Sequence, residues 1–288
     1  MPKALDPESR WSWLSQAGAE AVHALSASAC LLRGDALEIL PKLPRGRFDM
    51  VFADPPYFLS SGGITCKSGR MARVDKGEWD KPAGFRKDYD FTRNWLSLCR
   101  RVLAPDGTIW VSGTRHVIYM VGCAMQELGY KLLNEIIWYK RNAPPNLSCR
   151  YFTHSTETIL WAARSEKSRH VFNYDAMKSQ NKGRQMRNLW EISPPSKQEK
   201  RYGKHPTQKP EALLERIIEA STNPGQLILD PFCGSGTTGV AAVRLGRWFL
   251  GIDSDPKYLE VARKRIGDES GLDAEGPQAR HSRQPKLW

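Results

Sequence analysis

The sequence predicts an α/β fold built on a largely parallel sheet. Three observations carry this. Short apolar runs alternate with helix-period segments along most of the chain, acids follow several of the apolar runs closely, and a glycine-rich segment joins one run to a helix. At 288 residues the chain has room for about two units, or for one large domain with an insertion. A hydrophobic content of 40% is enough for a core and rules out a wholly disordered chain. No apolar stretch approaches the ~18 residues that a membrane span needs. The opening Met1-Pro2-Lys3-Ala4-Leu5-Asp6 brings an acid early, with no apolar core behind a basic head, which argues against a secretory signal. None of the six cysteines forms a Cys-x-x-Cys pair. A reduced, cytoplasmic protein without a disulfide framework or a metal site is expected.

The strand candidates are Ala29–Arg33, Phe48–Ala53, Thr108–Ser112, Leu132–Tyr139, Thr158–Ala162, Leu227–Leu229 and Trp248–Ile252, each a short apolar run. Helical spacing marks Ala36–Leu40, Tyr89–Leu103, His116–Leu128, Pro210–Ala220, Thr237–Leu245 and Pro256–Ile266. In Pro210–Ala220, Leu213, Leu214, Ile217 and Ile218 share one stripe, and the proline stands at the first turn, where its missing N–H costs nothing. Asp106-Gly107 reads as a turn before a strand. A helix is placed around Trp11 to Leu25. The stretch from Asn142 to Lys204 has weaker periodicity and reads as an insertion or small substrate domain. From Gly267 onward the chain is polar, with glycine and proline, and reads as a disordered tail.

The net charge of +12 is concentrated. Trp138 to Lys204 holds 14 basic and 5 acidic residues, and Ser60 to Lys87 holds 7 and 3, so the remainder is close to neutral. Solvated loops are one reading. Against it, the basic stretches are interleaved with Tyr139, Tyr151, Phe152, Phe172, Tyr174, Trp190 and Tyr202, which suits phosphates and unstacked bases.

Four acids follow strand candidates: Asp35, Asp54, Asp230 and Asp253. In an open parallel sheet, ligands bind outside the carboxyl ends of the strands, so together these acids would line one cleft. Each alone could equally be a helix N-cap. The segment Asp230-Pro231-Phe232-Cys233-Gly234-Ser235-Gly236-Thr237-Thr238-Gly239 contains G-x-G-x-x-G, with Asp253 nineteen residues beyond its first glycine. That fits a dinucleotide fingerprint and keeps a nicotinamide or flavin enzyme in view. However, Asp-Pro-Phe-Cys intervenes between strand and glycine, and Asp230 would repel a pyrophosphate. The same layout suits a cationic, phosphate-free nucleoside such as S-adenosylmethionine, with Asp253 accepting from the ribose hydroxyls. Asp54-Pro55-Pro56-Tyr57 decides between the two. A proline pair at a strand end makes a stiff turn that leaves the Asp54 carboxylate and the Pro55 carbonyl as acceptors for the two N–H bonds of an exocyclic amine, with Tyr57 free to stack on its ring.

These motifs resemble those of DNA amino-methyltransferases. Asp54-Pro55-Pro56-Tyr57 is similar to their catalytic motif and Asp230 to Gly236 to their cofactor motif. Their order, with the basic stretch between them and Lys204-His205-Pro206-Thr207-Gln208-Lys209-Pro210 ahead of the cofactor strand, resembles the circularly permuted β group. Phe58-Leu59-Ser60 and Asn146 to Thr158 resemble the second adenine methyltransferase of DpnII-type restriction systems, which acts on GATC and accepts single strands.

The resemblance implies a Rossmann-like class I methyltransferase sheet with helices on both faces and a basic target-recognition insertion. It divides the chain into an extension (1–28), a catalytic half (29–141), a target-recognition region (142–204), a cofactor-binding half (205–266) and a tail (267–288). It implies that Asp54, Pro55, Pro56 and Tyr57 are catalytic. Asp35, Ala36, Asp54, His205, Lys209, Asp230, Phe232, Gly234, Ser235, Gly236, Thr237 and Asp253 would form the cofactor pocket. For DNA it implies contacts from the loop Gly62–Lys81 and from Asn142–Lys204, with Asn146, Arg150, Tyr151, Arg184 and Arg187 as candidates; Trp79 is read as core. The implied reaction is direct attack of the N6 amine of a flipped adenine on the sulfonium methyl, without metal or covalent enzyme–base intermediate. Implied partners are duplex and single-stranded DNA, a second copy of the chain and a restriction nuclease, in the bacterial cytoplasm at the nucleoid. Cytosine-N4 methylation shares this chemistry, although such enzymes more often carry Ser before Pro-Pro-Tyr. A DNA-binding regulator without turnover and a nicotinamide oxidoreductase are more remote alternatives.

Overall fold

The computed structural model describes residues 11, 13–14, 21–26, 28–60, 64–67, 70–73 and 80–271. Its strands are β1 (Ala21–Ser26), β2 (Ala29–Arg33), β3 (Phe48–Ala53), β4 (Ile64–Lys67), β5 (Arg70–Arg73), β6 (Leu103–Gly113), β7 (Lys131–Tyr139), β8 (Thr156–Ala163), β9 (Leu189–Glu191), β10 (Leu227–Asp230) and β11 (Trp248–Asp253). The helices are α1 (Ala36–Ile39), α2 (Phe85–Val102), α3 (Ile118–Glu127), α4 (Tyr174–Gln180), α5 (Glu211–Ser221), α6 (Thr237–Arg244) and α7 (Pro256–Ser270).

The run Phe48-Asp49-Met50-Val51-Phe52-Ala53 carries apolar residues at both odd and even positions, which suits a strand covered on both faces. In the structure, Phe48, Val51 and Ala53 pack into one core with Trp95, Leu96 and Cys99 of α2 and Val121 and Met125 of α3. Met50 and Phe52 pack into a second core with Leu213, Leu214, Ile217 and Ile218 of α5 and Val240 and Ala262 of α6 and α7. Each large apolar side chain so buried contributes about 1.5–3 kcal/mol. α2 is helical because Thr92, Trp95, Leu96, Cys99 and Val102 fall on one stripe, and it turns that stripe to the sheet.

The main sheet runs β1-β2-β11-β10-β3-β6-β8-β7-β9. The block from β2 to β6 is parallel. β1 is antiparallel to β2, β8 is antiparallel to both β6 and β7, and β9 is parallel to β7. β7 therefore points the same way as β3 and β6. β4 and β5 pair separately. The sheet thus has the predicted α/β, largely parallel character, with helices on both faces. Among the described residues, no helix is long and apolar enough to cross a membrane.

Four expectations change. The helix expected to end near Leu25 gives way to β1, because the open backbone groups of β2 at the sheet edge pair with it, Ser26 opposite Ala29. Asp106-Gly107 does not precede its strand but lies inside β6; the partner register jumps from Phe48↔Leu103 to Met50↔Thr108, so the dipeptide is bulged out of the ladder. The stretch 142–204 is no separate unit: the apolar run of β8 enters the sheet between β6 and β7, β9 joins its edge, and α4 packs on α5. α7 continues four residues past Ile266 and is closed by Gly271 in the left-handed region. Residues 272–288 and Trp79 lie outside the described residues.

At the start of α6, Gly236 has φ 75°, and a Cβ there would stand 2.7 Å from the Ala262 Cβ of α7. Gly236→Ala should therefore lower stability by about 1–3 kcal/mol, measured as a shift in the urea midpoint with an unchanged m-value.

Candidate active site

β3 and β10 are hydrogen-bonded neighbours, yet the chain leaves them in opposite directions: β3 leads through α2 to β6, and β10 leads through α6 to β11. Such a switch point opens a crevice at the carboxyl ends of the strands. Here it is a cavity of about 300 Å³, and it brings the two sequence motifs together. Asp54, Pro55, Pro56 and Tyr57 line it from the β3 side, and Pro231, Phe232 and Gly234 from the β10 side. Asp35 and Ala36 after β2, Asp253 at the end of β11 and His205 line it as expected from the sequence, whereas Lys209, Asp230, Ser235, Gly236 and Thr237 of the expected set do not. Gly34, Asp80, Phe91, Thr207, Ser254, Asp255 and Tyr258 also line it and were not foreseen.

Both Asp54 oxygens are engaged. The Tyr57 hydroxyl donates to Oδ1 at 2.6 Å, and the Lys209 ammonium donates to Oδ2 at 2.5 Å and to the Tyr57 oxygen at 3.2 Å. Ser112 Oγ lies 3.0 Å from the same hydroxyl. Burial, with Asp54 beside it, pushes the Tyr57 hydroxyl well above its usual range, which keeps it a proton donor. Burial alone would lower the Lys209 pKa, but the carboxylates of Asp54 and Glu157 outweigh it and hold the ammonium above its ordinary value. Lys209 thus stands behind the Asp54–Tyr57 turn, on a small adjoining cavity rather than among the residues lining the main one. Tyr57 likewise does more than present a ring: it is 4% exposed, and its hydroxyl fixes the carboxylate.

The turn itself is held by Asp80, a fully buried carboxylate. Its Oδ1 accepts from the Tyr57 N–H at 2.8 Å, and its Oδ2 accepts from the Leu59 N–H at 3.2 Å and the Ser60 hydroxyl at 3.0 Å. The Ser60 N–H donates to the Asp80 carbonyl at 3.0 Å, closing a clasp around 61–79. No sequence pattern distinguishes Asp80 from a surface acid, and only its burial identifies it.

On the glycine side the acids divide. Asp253 takes the Gly234 N–H on Oδ2 at 2.8 Å and the Asp255 N–H on Oδ1 at 2.9 Å, and it faces the cavity with lone pairs to spare. Asp35 does both things the sequence allowed: it caps α1 through the Leu37 N–H at 2.7 Å and lines the cavity. Asp230, however, lies deeper, on a small adjoining cavity of about 30 Å³, and holds the Phe232 N–H at 3.0 Å and the Thr238 hydroxyl at 2.5 Å. Ser235 and Thr237 border that inner space and are bound by the Arg265 guanidinium, so they do not reach the main cavity. Gly236 serves helix packing. The Phe232 ring meets Trp95 edge-on at 5.6 Å, and the His205 ring meets Tyr258 at 4.2 Å. His205 also stands where a Cβ on Gly234 would fall, 3.1 Å from its Nε2.

Of the DNA-contact candidates, Arg150 and Tyr151 lie exposed on the loop that leaves the carboxyl end of β7, the same sheet edge as the cavity. Asn146 is committed to shaping that loop, donating to the Tyr151 carbonyl at 2.5 Å and accepting from Ser148. Arg184 and Arg187 line a separate groove with Trp190 and Arg216 beside β9, so the structure does not bring them to the cavity. Gly62–Lys81 is described mainly as the backbone of β4 and β5.

Five acids, Asp35, Asp54, Asp80, Asp253 and Asp255, with aromatic walls from Phe232 and Tyr258, make a cavity suited to a cationic nucleoside and hostile to phosphate. The chain belongs to the DNA methylase family whose members methylate N6 or N4 amines, which matches residues 48–264. It is an S-adenosylmethionine-dependent DNA methyltransferase. Among its relatives are the Type II methyltransferases M2.LlaDCHI of Lactococcus lactis subsp. cremoris, 57% identical over 83% of this chain and 89% of the relative, and M2.DpnII of Streptococcus pneumoniae, 56% identical over 83% and 90%. Among solved structures, the M1.HpyAVI–SAM complex is 30% identical, with a TM-score of 0.62 over 83% of this chain and 98% of the other. The cytosine-N4-specific PvuII DNA methyltransferase, 21% identical with a TM-score of 0.67 over 88% and 95%, shares the fold.

Burial pushes the Asp230 carboxyl up to about 7, against the hydrogen bonds from Thr238 and the Phe232 N–H, with Asp54 and Asp253 adding to the rise. The folded chain therefore holds this proton more tightly than the unfolded chain, whose ordinary value is 3.8, so the contribution is fully present in acid and is lost as the pH rises to 7. Relative to the native chain, Asp230→Asn should gain roughly 2–3 kcal/mol between about pH 5 and about pH 8, read as the difference between the two denaturation curves.

Proposed function

We propose that Asp54 and the Pro55 carbonyl hold the N6 amine of an adenine flipped out of DNA, at the β3 side of the cavity, while the methyl donor lies along its β10 side. The observation that carries this reading is that the Asp-Pro-Pro-Tyr turn and the Gly234 loop line one cavity. When bound, S-adenosylmethionine supplies an electrophilic methyl group, which the N6 amine takes up directly. The residues of the chain do the positioning. Asp253 accepts from the ribose hydroxyls, the Gly234 backbone allows close approach, and Phe232, Asp35, Ala36 and His205 close the pocket. Asp230, Ser235, Gly236 and Thr237 support it from beneath. Pro55 and Pro56 keep the turn stiff, and Tyr57 presents its ring to the base while its hydroxyl orients Asp54. Two acceptors on one amine draw the nitrogen toward tetrahedral geometry and free its lone pair, and Asp54 receives the departing proton. The main contribution to rate is placement in a water-poor cavity.

The basic loop at the end of β7 meets the DNA through Arg150 and Tyr151, with Asn146 as its internal brace, and 142–204 supplies target recognition. Arg184 and Arg187 belong to a more distant phosphate contact beside β9. The reading extends to a cytoplasmic bacterial enzyme acting at GATC on duplex and single-stranded DNA, as a homodimer beside a cognate nuclease.

Duplexes with and without GATC, incubated with labelled S-adenosylmethionine and digested to nucleosides, should yield N6-methyl-2′-deoxyadenosine from GATC substrates alone; N4-methyl-2′-deoxycytidine would overturn the adenine reading. Asp54→Ala should abolish transfer while DNA affinity stays within about two-fold, and retained transfer would remove Asp54 from the mechanism. DNA affinity should fall by about ten-fold or more between low and moderate salt, measured by fluorescence anisotropy.

A further inference from the structure

Behind Asp54 runs a line of alternating charges. The Lys209 ammonium on Asp54 Oδ2 lies 3.7 Å from Glu157 Oε2, and Glu157 Oε1 forms a close ion pair with the Lys140 ammonium. The inner members are almost sealed: the Lys209 side chain is 7% exposed and that of Glu157 15%. The outer members sit at the neck of the loop that carries Arg150 and Tyr151. Lys140 is the first residue after β7, its N–H donates to the Ser155 carbonyl at 2.7 Å, and Glu157 stands two residues beyond Ser155 in β8. Lys140 also lies 4.3 Å from the centre of the Trp138 ring, whose indole N–H donates to the Ile192 carbonyl at 2.7 Å, so its stem is braced from the sheet side.

We propose that Glu157 and Lys209 are positioning residues that couple the seating of this loop to the aim of the Asp54 carboxylate. The proposal rests on the reading of Asp54 as the amine acceptor. Buried ions keep their partners because a lone charge in the interior is costly; Lys209 is hydrogen-bonded to Asp54 at 2.5 Å and held to Glu157 by charge across 3.7 Å. If Lys209 released Asp54, that carboxylate would keep only the Tyr57 hydroxyl as a partner and would lose its counter-charge. Its own backbone is fixed between Gln208, which donates to the Glu199 carbonyl at 2.9 Å, and the start of α5. Glu157 is the shared member: it divides its two oxygens between the loop neck and Lys209. A shift of the neck as the loop meets DNA is therefore passed through one carboxylate and one ammonium to the group that holds the amine.

The test uses the purified full chain with Glu157→Gln, Lys209→Met and Lys209→Arg, each read as kcat and as separate KM values for DNA and S-adenosylmethionine, with 2-aminopurine at the target position to report base extrusion. Glu157→Gln should lower kcat by about ten-fold and Lys209→Met by about a hundred-fold, with both KM values within about two-fold and the 2-aminopurine signal retained. Lys209→Arg, which keeps the charge, should recover much of the Lys209→Met loss. An unchanged kcat in both Glu157→Gln and Lys209→Met would overturn the proposal. So would a loss confined to the KM for S-adenosylmethionine, which would place Lys209 at the cofactor. If Glu157→Gln fails to fold, Lys140→Met reads the outer link, and an unchanged kcat there likewise overturns the coupling. If the native chain methylates cytosine, or Asp54→Ala retains transfer, the active-site reading fails instead, a result these kinetic ratios do not mimic.

Discussion

The parallel pairing of β3 with β10 is the constraint on which the rest depends. Only four residues register across it, Ile228 with Met50 and Leu229 with Val51. Yet it places Asp54 and Asp230 at adjacent strand ends while the chain departs from them on opposite sides of the sheet. The crevice left between two such strands is a property of connectivity and needs no loop to build it. What the loops add is lining: rigid prolines on one side and glycines that admit close approach on the other. The two halves of the site lie far apart in sequence but meet because both strands are buried on both faces and so must sit at the sheet centre.

Electrostatics then divides the labour among four aspartates that look alike in sequence. Asp54 shares its oxygens between a lysine and a tyrosine, Asp253 ties down the glycine loop while keeping lone pairs for a ligand, and Asp35 caps a short helix at the rim. Asp230 sits below, bound to Thr238, and its carboxyl rises to about 7 because burial is only partly offset by its hydrogen bonds. Type and spacing found all four; burial and partners assigned their tasks.

The parallel core was readable because its strands are continuous apolar runs and its helices carry a 3.6-residue stripe, both strong periodic signals. β1 and β9 were not foreseen: one is a short edge strand and the other three residues long, and each is specified by the backbone groups of a neighbour rather than by its own pattern. The bulge at Asp106-Gly107 mimics a turn because the same residue types serve both. At the site, motif residues were legible because chemistry restricts them. Asp80, Glu157 and Arg265 were not, since a buried polar side chain is recognisable only once its partners are in place.

The clasp between Ser60 and Asp80 also bears on how such a protein can change. Everything between those two residues enters and leaves through one fixed point, and the hydrogen bonds that hold Tyr57 are made by the clasp itself. Closing a longer or shorter excursion over that neck changes the free energy slowly, by only about 0.6 kcal/mol for each doubling of length. The intervening segment is therefore a cassette: it can be exchanged for one of another size or composition while the Asp54–Tyr57 turn beside it keeps its shape.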